Sequence, residues 1–143
     1  MKIKLILLFA VSLMASCKCT KSSTSDKTAS LEGTWQLDYI SGPRIAFEGL
    51  YPNDKPSLVF DLKENKVSGK NSCNSYSGAV KLEGNTISFD QAGMITTKMF
   101  CDGEGEKIYM STLNKINSYS VSNDGKTLNL LSGDISLMRF NKK

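Results

Sequence analysis

Through most of this chain apolar side chains recur at every second position, the period of a strand with one wet face. Trp35, Leu37 and Tyr39 alternate with Thr34, Gln36 and Asp38. The same rhythm returns at Leu58, Phe60 and Leu62, and at Tyr76, Val80 and Leu82 with Gly78 between them. It continues at Ile87 and Phe89, at Ile95, Thr97 and Met99, at Tyr119 and Val121, at Leu128 and Leu130, and at Ile135 and Leu137. Turn-forming clusters such as Glu83-Gly84-Asn85, Asn123-Asp124-Gly125 and Ser132-Gly133-Asp134 separate these runs. Connections this short predict antiparallel hairpins, because parallel pairs need a long crossover. One segment departs from the pattern. Between Glu106 and Asn117, the residues Tyr109, Thr112, Leu113 and Ile116 fall at i, i+3, i+4 and i+7, a helical stripe. Asp102 upstream can cap that helix and favour its positive end. The predicted class is α+β, mostly β. It is a curled antiparallel sheet or small, partly open barrel of about eight short strands, with one helix plugging the opening. Trp35, Phe60, Tyr76, Phe89 and Leu113 are expected in a single core cluster.

The N-terminus follows other rules. Lys2 and Lys4 open an apolar run from Leu5 to Ala15, eleven residues long. A bilayer span needs about 20, so the run reads as the core of a secretory signal. Leu13-Met14-Ala15-Ser16-Cys17 closes it. Small residues ahead of a cysteine are what a lipoprotein signal peptidase requires, and Cys17 is the expected lipidation site. Residues 18–30 are nearly devoid of apolar side chains and cannot offset their ordering entropy. The expected organisation is a signal over 1–16, a flexible tether over 17–30 and a folded domain over 31–143. Attachment would be to a membrane through the lipid on Cys17. Lys18, rather than an acid, follows the lipidated residue, which points to the outer membrane.

Composition narrows the chemistry. The whole chain has 18 basic and 14 acidic side chains, a net charge of +4. Removing residues 1–16 takes away Lys2 and Lys4 and leaves +2. Only Arg44 and Arg139 are arginines, and no basic stripe alternates with aromatics, so nucleic acid is not an expected partner. The chain contains no histidine, which excludes serine–histidine and cysteine–histidine mechanisms. No carboxylate, Tyr or Lys cluster replaces them, and the chain is not expected to be an enzyme. Asp102-Gly103-Glu104-Gly105-Glu106 is acidic but lacks the ligand order of a calcium loop, so it reads as a helix entry. No metal or other cofactor is expected.

Export favours oxidised cysteines. With Cys17 consumed by lipid and Cys19 in the tether, Cys73 and Cys101 are the expected pair. Their bridge closes a loop of roughly 29 residues, worth about 3–4 kcal/mol in the loop-entropy model. Two buried free thiols or a redox pair are the alternatives, though a redox pair normally shows a Cys-x-x-Cys spacing that is missing here. Cys19 is left without a role.

Gly33-x-Trp35 at the head of the first strand is similar to the lipocalin opening, in which the tryptophan closes one barrel end. A large core aromatic is the plainer reading. Taken together, further elements resemble the META domain, a family of bacterial lipoproteins that includes the heat-shock protein HslJ. They are Leu31-x-Gly33-Thr34-Trp35-x-Leu37, Pro56-x-Leu58-x-Phe60, Val67-Ser68-Gly69, Cys73-Asn74-x-Tyr76-x-Gly78 and Thr97-x-Met99-x-Cys101. Ser72 stands where the family usually has glycine. The resemblance implies a compact β domain with one helix and carries no catalytic residue. It implies structural roles for Asn74 (backbone bonds in a tight turn), Tyr76 (packing inward) and Gly78 (a close approach or bulge). The expected function is that of a non-enzymatic envelope lipoprotein of the META/HslJ type, linked to envelope stress or antibiotic resistance, monomeric, with an unknown protein partner. The alternative is a lipocalin-like carrier of a small apolar ligand.

Overall fold

The computed structural model describes residues 31–143. Nine strands form in the order β1 (Gly33–Ile40), β2 (Ser57–Asp61), β3 (Lys66–Lys70), β4 (Ser75–Glu83), β5 (Thr86–Phe89), β6 (Ile95–Thr96), β7 (Ser118–Val121), β8 (Thr127–Ser132) and β9 (Ile135–Lys142). Two helices interrupt them, α1 (Phe47–Leu50) and α2 (Gly105–Leu113). All strand pairs are antiparallel. Eight strands close a barrel in the cyclic order β1-β2-β3-β4-β5-β7-β8-β9, and β6 is added to β4. β5 and β6 share one edge of β4: β5 pairs with Val80 to Glu83, and β6 with Tyr76 and Ser77. The seam between β5 and β7 is short. Thr86 opposite Ser118 is its one registered pair, bracketed by Ile87 N–H to Asn117 C=O and Tyr119 N–H to Asn85 C=O. Closure leaves the barrel without free edges there and is more complete than the curled sheet or partly open barrel expected from the sequence.

Trp35, Phe60, Tyr76, Phe89 and Leu113 lie in one buried cluster with Leu37, Leu58, Tyr109, Leu128, Leu130, Met138 and Phe140. Alternation fails at two register shifts, and also at Ile95 and Met99, which are both exposed. A shift between Leu37 and Tyr39 on β1 turns Tyr39 outward (45% exposed) and brings Ile40 in. Tyr39 instead lies against the Arg139 guanidinium, 5.6 Å from the ring centre. A second shift, between Leu130 and Leu131 of β8, exposes Ile135 and gives the core to Met138 and Phe140 rather than to Ile135 and Leu137. An extra residue reverses the facing of everything beyond it.

The strand expected through Ile95, Thr97 and Met99 is only two residues long, and β3 is a ninth strand that the alternation did not mark. α2 also differs from expectation. It stops at Leu113, although the whole expected stripe of Tyr109, Thr112, Leu113 and Ile116 is buried. Tight bonds from Lys115 N–H to Thr112 C=O and from Ile116 N–H to Leu113 C=O end the helix and fold Ile116 back into the core. Its N-cap residue is Glu104, without a side-chain cap bond, so Asp102 does not cap it.

α2 covers the barrel end where β2 starts and β3 finishes, since Tyr109 reaches Ser57 and Glu106 reaches Asn71. α1 and the residue after it complete that lid. Tyr51 is buried and donates its hydroxyl to the Gly105 carbonyl at 3.0 Å. The chain enters the domain at the opposite end, where Glu32 accepts the Leu62 N–H. Trp35 sits near this entrance, opposite Lys142, fully buried, and its indole N–H donates to the Leu31 carbonyl at 2.8 Å. Among the described residues no helix is long and apolar enough to cross a membrane.

Candidate functional site

At the lidded end the β3–β4 hairpin turn, the stretch from β6 to α2 and the start of α2 meet around Asn74. The turn from β3 to β4 closes with its own backbone bond, Asn71 N–H to Asn74 C=O at 3.0 Å. This leaves the buried Asn74 side chain free to hold a segment 25 residues away. Its Oδ1 accepts the Met99 N–H and the Thr97 hydroxyl, both at 2.8 Å. Its Nδ2 donates to the Met99 carbonyl at 3.1 Å and to Glu106 Oε2 at 2.9 Å. The bonds that the Asn74 side chain makes to backbone are thus made across the site, not within its own turn. Thr97 continues the β6 ladder by one residue, with its N–H donating to Ser75 C=O and its hydroxyl accepting the Ser75 N–H.

The structure joins Cys73 to Cys101 in a disulfide with Cα atoms 5.9 Å apart, within the usual range. Glu106 stands beside it. Its Oε2 is 3.1 Å from Cys101 Sγ, and its Oε1 accepts from Asn71 Nδ2 at 3.2 Å. Among the described ion pairs none includes Glu106. Asn71 is fully buried, and its Oδ1 has no hydrogen-bond partner.

These ties present a hydrophobic ridge to solvent. Phe100 is 91% exposed, Ile95 73% and Met99 59%. A groove of about 510 Å³ lies on one side of Met99 and Phe100, lined by Asn74, Thr96, Lys98 and Glu106 among others. A second, of about 380 Å³, is bordered by Cys101, Lys107 and Met110. The charges around the ridge are of both signs: Lys98 and Lys107 against Asp102, Glu104 and Glu106. The segment that carries Phe100 is held by the disulfide at Cys101 and by three bonds from Asn74 to Thr97 and Met99, so its backbone loses little freedom on contact, as anchor positions in interfaces do.

Beneath the ridge the Tyr76 and Tyr109 hydroxyls are 2.7 Å apart, and Tyr76 donates to the Ser57 carbonyl at 3.0 Å. Burial, then the neighbouring phenol, pushes Tyr76 well above the ordinary tyrosine range, and burial likewise raises Tyr109. Gly69 makes this possible. A Cβ there would collide with the Ser57 carbonyl and sit 3.1 Å from the Tyr76 hydroxyl. Gly78 packs under Met94, 3.4 Å from where its Cβ would be. Ser72 adopts φ +148°, a region that suits glycine, so the family's usual residue fits the backbone better than the serine present.

Asn74, Tyr76, Thr97, Met99, Cys73 and Cys101 therefore come together at the lidded end. Gly33 and Trp35 lie at the other. Cys17 and Cys19 are outside the described residues. Sequence reasoning missed Phe100, Asn71 and the central place of Glu106. The adjacent apolar pair Met99-Phe100 was the available signal, because two neighbouring side chains of a strand cannot both face one core.

This barrel with its covered end is a small antiparallel β domain of known design. The META domain family matches residues 28–143, and the chain belongs to that family. A search of curated proteins finds no match. Several solved structures share the fold, three of them as follows. A protein from Burkholderia xenovorans, solved by NMR, is 20% identical with a TM-score of 0.63, covering 84% of this chain and 88% of that one. A second NMR structure is 16% identical with a TM-score of 0.57, over 84% of this chain and 94% of the other. A DUF4847 family protein from Bacteroides vulgatus ATCC 8482 is 15% identical with a TM-score of 0.53, over 79% and 94%.

Proposed function

We propose that this META-domain protein is a non-enzymatic envelope lipoprotein that works by contact with a protein partner during envelope stress. The observation that carries this reading is Phe100, almost fully exposed on a segment held by Asn74 and the disulfide. Large aromatics left in water at a fixed position mark interaction sites. The mixed charges beside the ridge argue for a protein surface rather than an anionic bilayer. The topology agrees. The described chain begins at Leu31, at the end opposite the ridge, which is compatible with a lipid on Cys17 leaving the ridge accessible. An apolar-ligand carrier would need room inside the barrel, and Trp35, Phe60, Tyr109 and Phe140 occupy that interior. This favours the surface reading.

The test is survival under envelope stress in a strain lacking the protein. Wild type should restore survival, and Phe100→Asp should not, although it folds and accumulates normally. Full rescue by Phe100→Asp removes the contact reading. Fractionation of a Cys17→Ser strain tests the anchor separately: the variant should leave the membrane fraction, and retention there defeats the lipoprotein assignment.

A further inference from the structure

We propose that reduction of the Cys73–Cys101 bond opens a zinc site, formed by the two sulfurs and the Glu106 carboxylate with a water in the fourth position. The three residues each place one ligand atom within 4.8 Å of the others, and all three are half-buried. Zinc–sulfur bonds of about 2.3 Å put two thiolates roughly 3.8 Å apart in a tetrahedral site. Rotation about the Cys73 and Cys101 side-chain bonds reaches that spacing once the sulfurs are no longer joined.

The surroundings fit a metal site better than a plain disulfide needs. Glu106 is oriented by two amides, Asn71 Nδ2 on one oxygen and Asn74 Nδ2 on the other, the kind of outer support that fixes a ligating carboxylate. No lysine or arginine is paired with it among the described ion pairs, so its charge is left for an ion. The Asn71 Oδ1, fully buried and unpartnered, adds an acceptor to the same cluster for a metal-bound water. Access exists, since the 380 Å³ groove is bordered by both Cys101 and Glu106. Thiolates prefer borderline-soft ions, which selects zinc over calcium or magnesium.

The chemistry balances with a dithiol as reductant. The donor dithiol passes two electrons and two protons to the protein disulfide and becomes a disulfide itself. The two protein thiols then release their protons to solvent as they bind Zn²⁺. Without the ion, two thiolates beside a carboxylate would repel one another, so deprotonation and binding occur together. In the oxidised protein the sulfurs are bonded to each other and Glu106 alone holds nothing. The ion would replace the S–S link and keep Met99 and Phe100 in place, making the ridge tolerant of reducing conditions when zinc is present.

The experiment uses the full chain carrying Cys17→Ser and Cys19→Ser, reduced with a dithiol, desalted without oxygen and titrated with Co²⁺ and then Zn²⁺. The expected result is a thiolate-to-cobalt charge-transfer band with tetrahedral visible bands, saturating at one ion per chain and displaced by Zn²⁺. The oxidised chain should give none of these. Glu106→Gln should bind at least about tenfold more weakly. Trp35 emission monitors the fold throughout. If reduction unfolds the chain, Zn²⁺ must restore the buried Trp35 emission, and at lower concentration for wild type than for Glu106→Gln. Absence of the band, one ion shared between two chains, unchanged affinity in Glu106→Gln, or failure of Zn²⁺ to restore an unfolded chain would each overturn the proposal.

Discussion

Replacing Asn74 by alanine should cost far more than a typical surface change, because one side chain satisfies groups on two separate segments, the stretch after β6 and the start of α2. The substitution strips Met99 of partners for both its N–H and its C=O, and removes an acceptor from the Thr97 hydroxyl. Water can reach Met99, so each backbone bond is worth about 0.5–1.5 kcal/mol. Glu106 loses a charge-assisted bond in a half-buried setting, about 1.5–3 kcal/mol. The expected loss is about 3–5 kcal/mol, a large part of the 5–15 kcal/mol total of a small domain. Urea unfolding followed by Trp35 emission measures it. Asn74→Asp is the sharper variant. It keeps an acceptor for Met99 but sets a second carboxylate beside Glu106, so at neutral pH it should be less stable than Asn74→Ala. The disulfide holds the same segment, and so the cost of Asn74→Ala should change by more than ~0.5 kcal/mol when the bond is reduced. A loss under about 1 kcal/mol, or full additivity with reduction, would refute the idea that Asn74 and the disulfide fix one segment together.

Other expectations follow from the same geometry. Ser72→Gly should stabilise by about 0.5–1 kcal/mol, relief at φ +148° outweighing the added chain entropy; a lower urea midpoint contradicts this. Gly69→Ala should cost about 3 kcal/mol, because its methyl group displaces the Ser57 carbonyl from the tyrosine pair; near-neutral stability would mean the strands can part at no cost. Tyr51, Tyr76 and Tyr109 all have raised pKa values through burial. Their neutral forms therefore support the fold below the unfolded value of about 10, and that support is lost as pH rises towards their higher folded values. The unfolding free energy from urea titrations should be flat from pH 8 to roughly pH 10 and then fall, with a slope of up to about 4 kcal/mol per pH unit for three withheld protons. Tyr76→Phe should make that slope shallower, and an unchanged slope would show that Tyr76 takes no part.

The fold was legible where burial imposes a period. Trp35, Leu37, Leu58, Phe60, Leu128 and Leu130 face the core as alternation requires, and the α2 stripe is buried residue for residue. It was illegible where the backbone adds a residue. The shifts near Tyr39 and Leu131 carry no turn signal, so Ile135 read as core and Met138 did not. β3 was hidden for another reason: Val67 is its one deeply buried apolar side chain, and Gly69 serves the tyrosine pair rather than the pattern. The site was half-legible. Motif residues Asn74, Thr97 and Met99 could be named from the family resemblance, but that they bond one another across 25 residues is a long-range fact without a local trace. Glu106 read as a helix-start acid because that role needs only position, whereas its contact with Cys101 needs the fold.

The central claim is that the Met99–Phe100 ridge meets a protein partner because Asn74 and the disulfide hold it ready. Placing a photo-crosslinking amino acid at position 100 in living cells tests it directly, with position 135, also exposed, as the control. The account predicts one discrete protein adduct from position 100 and none from 135. It further predicts that Asn74→Ala abolishes the adduct while leaving the crosslinker itself untouched. No protein adduct at 100, an equal one at 135, or an adduct indifferent to Asn74→Ala would contradict it.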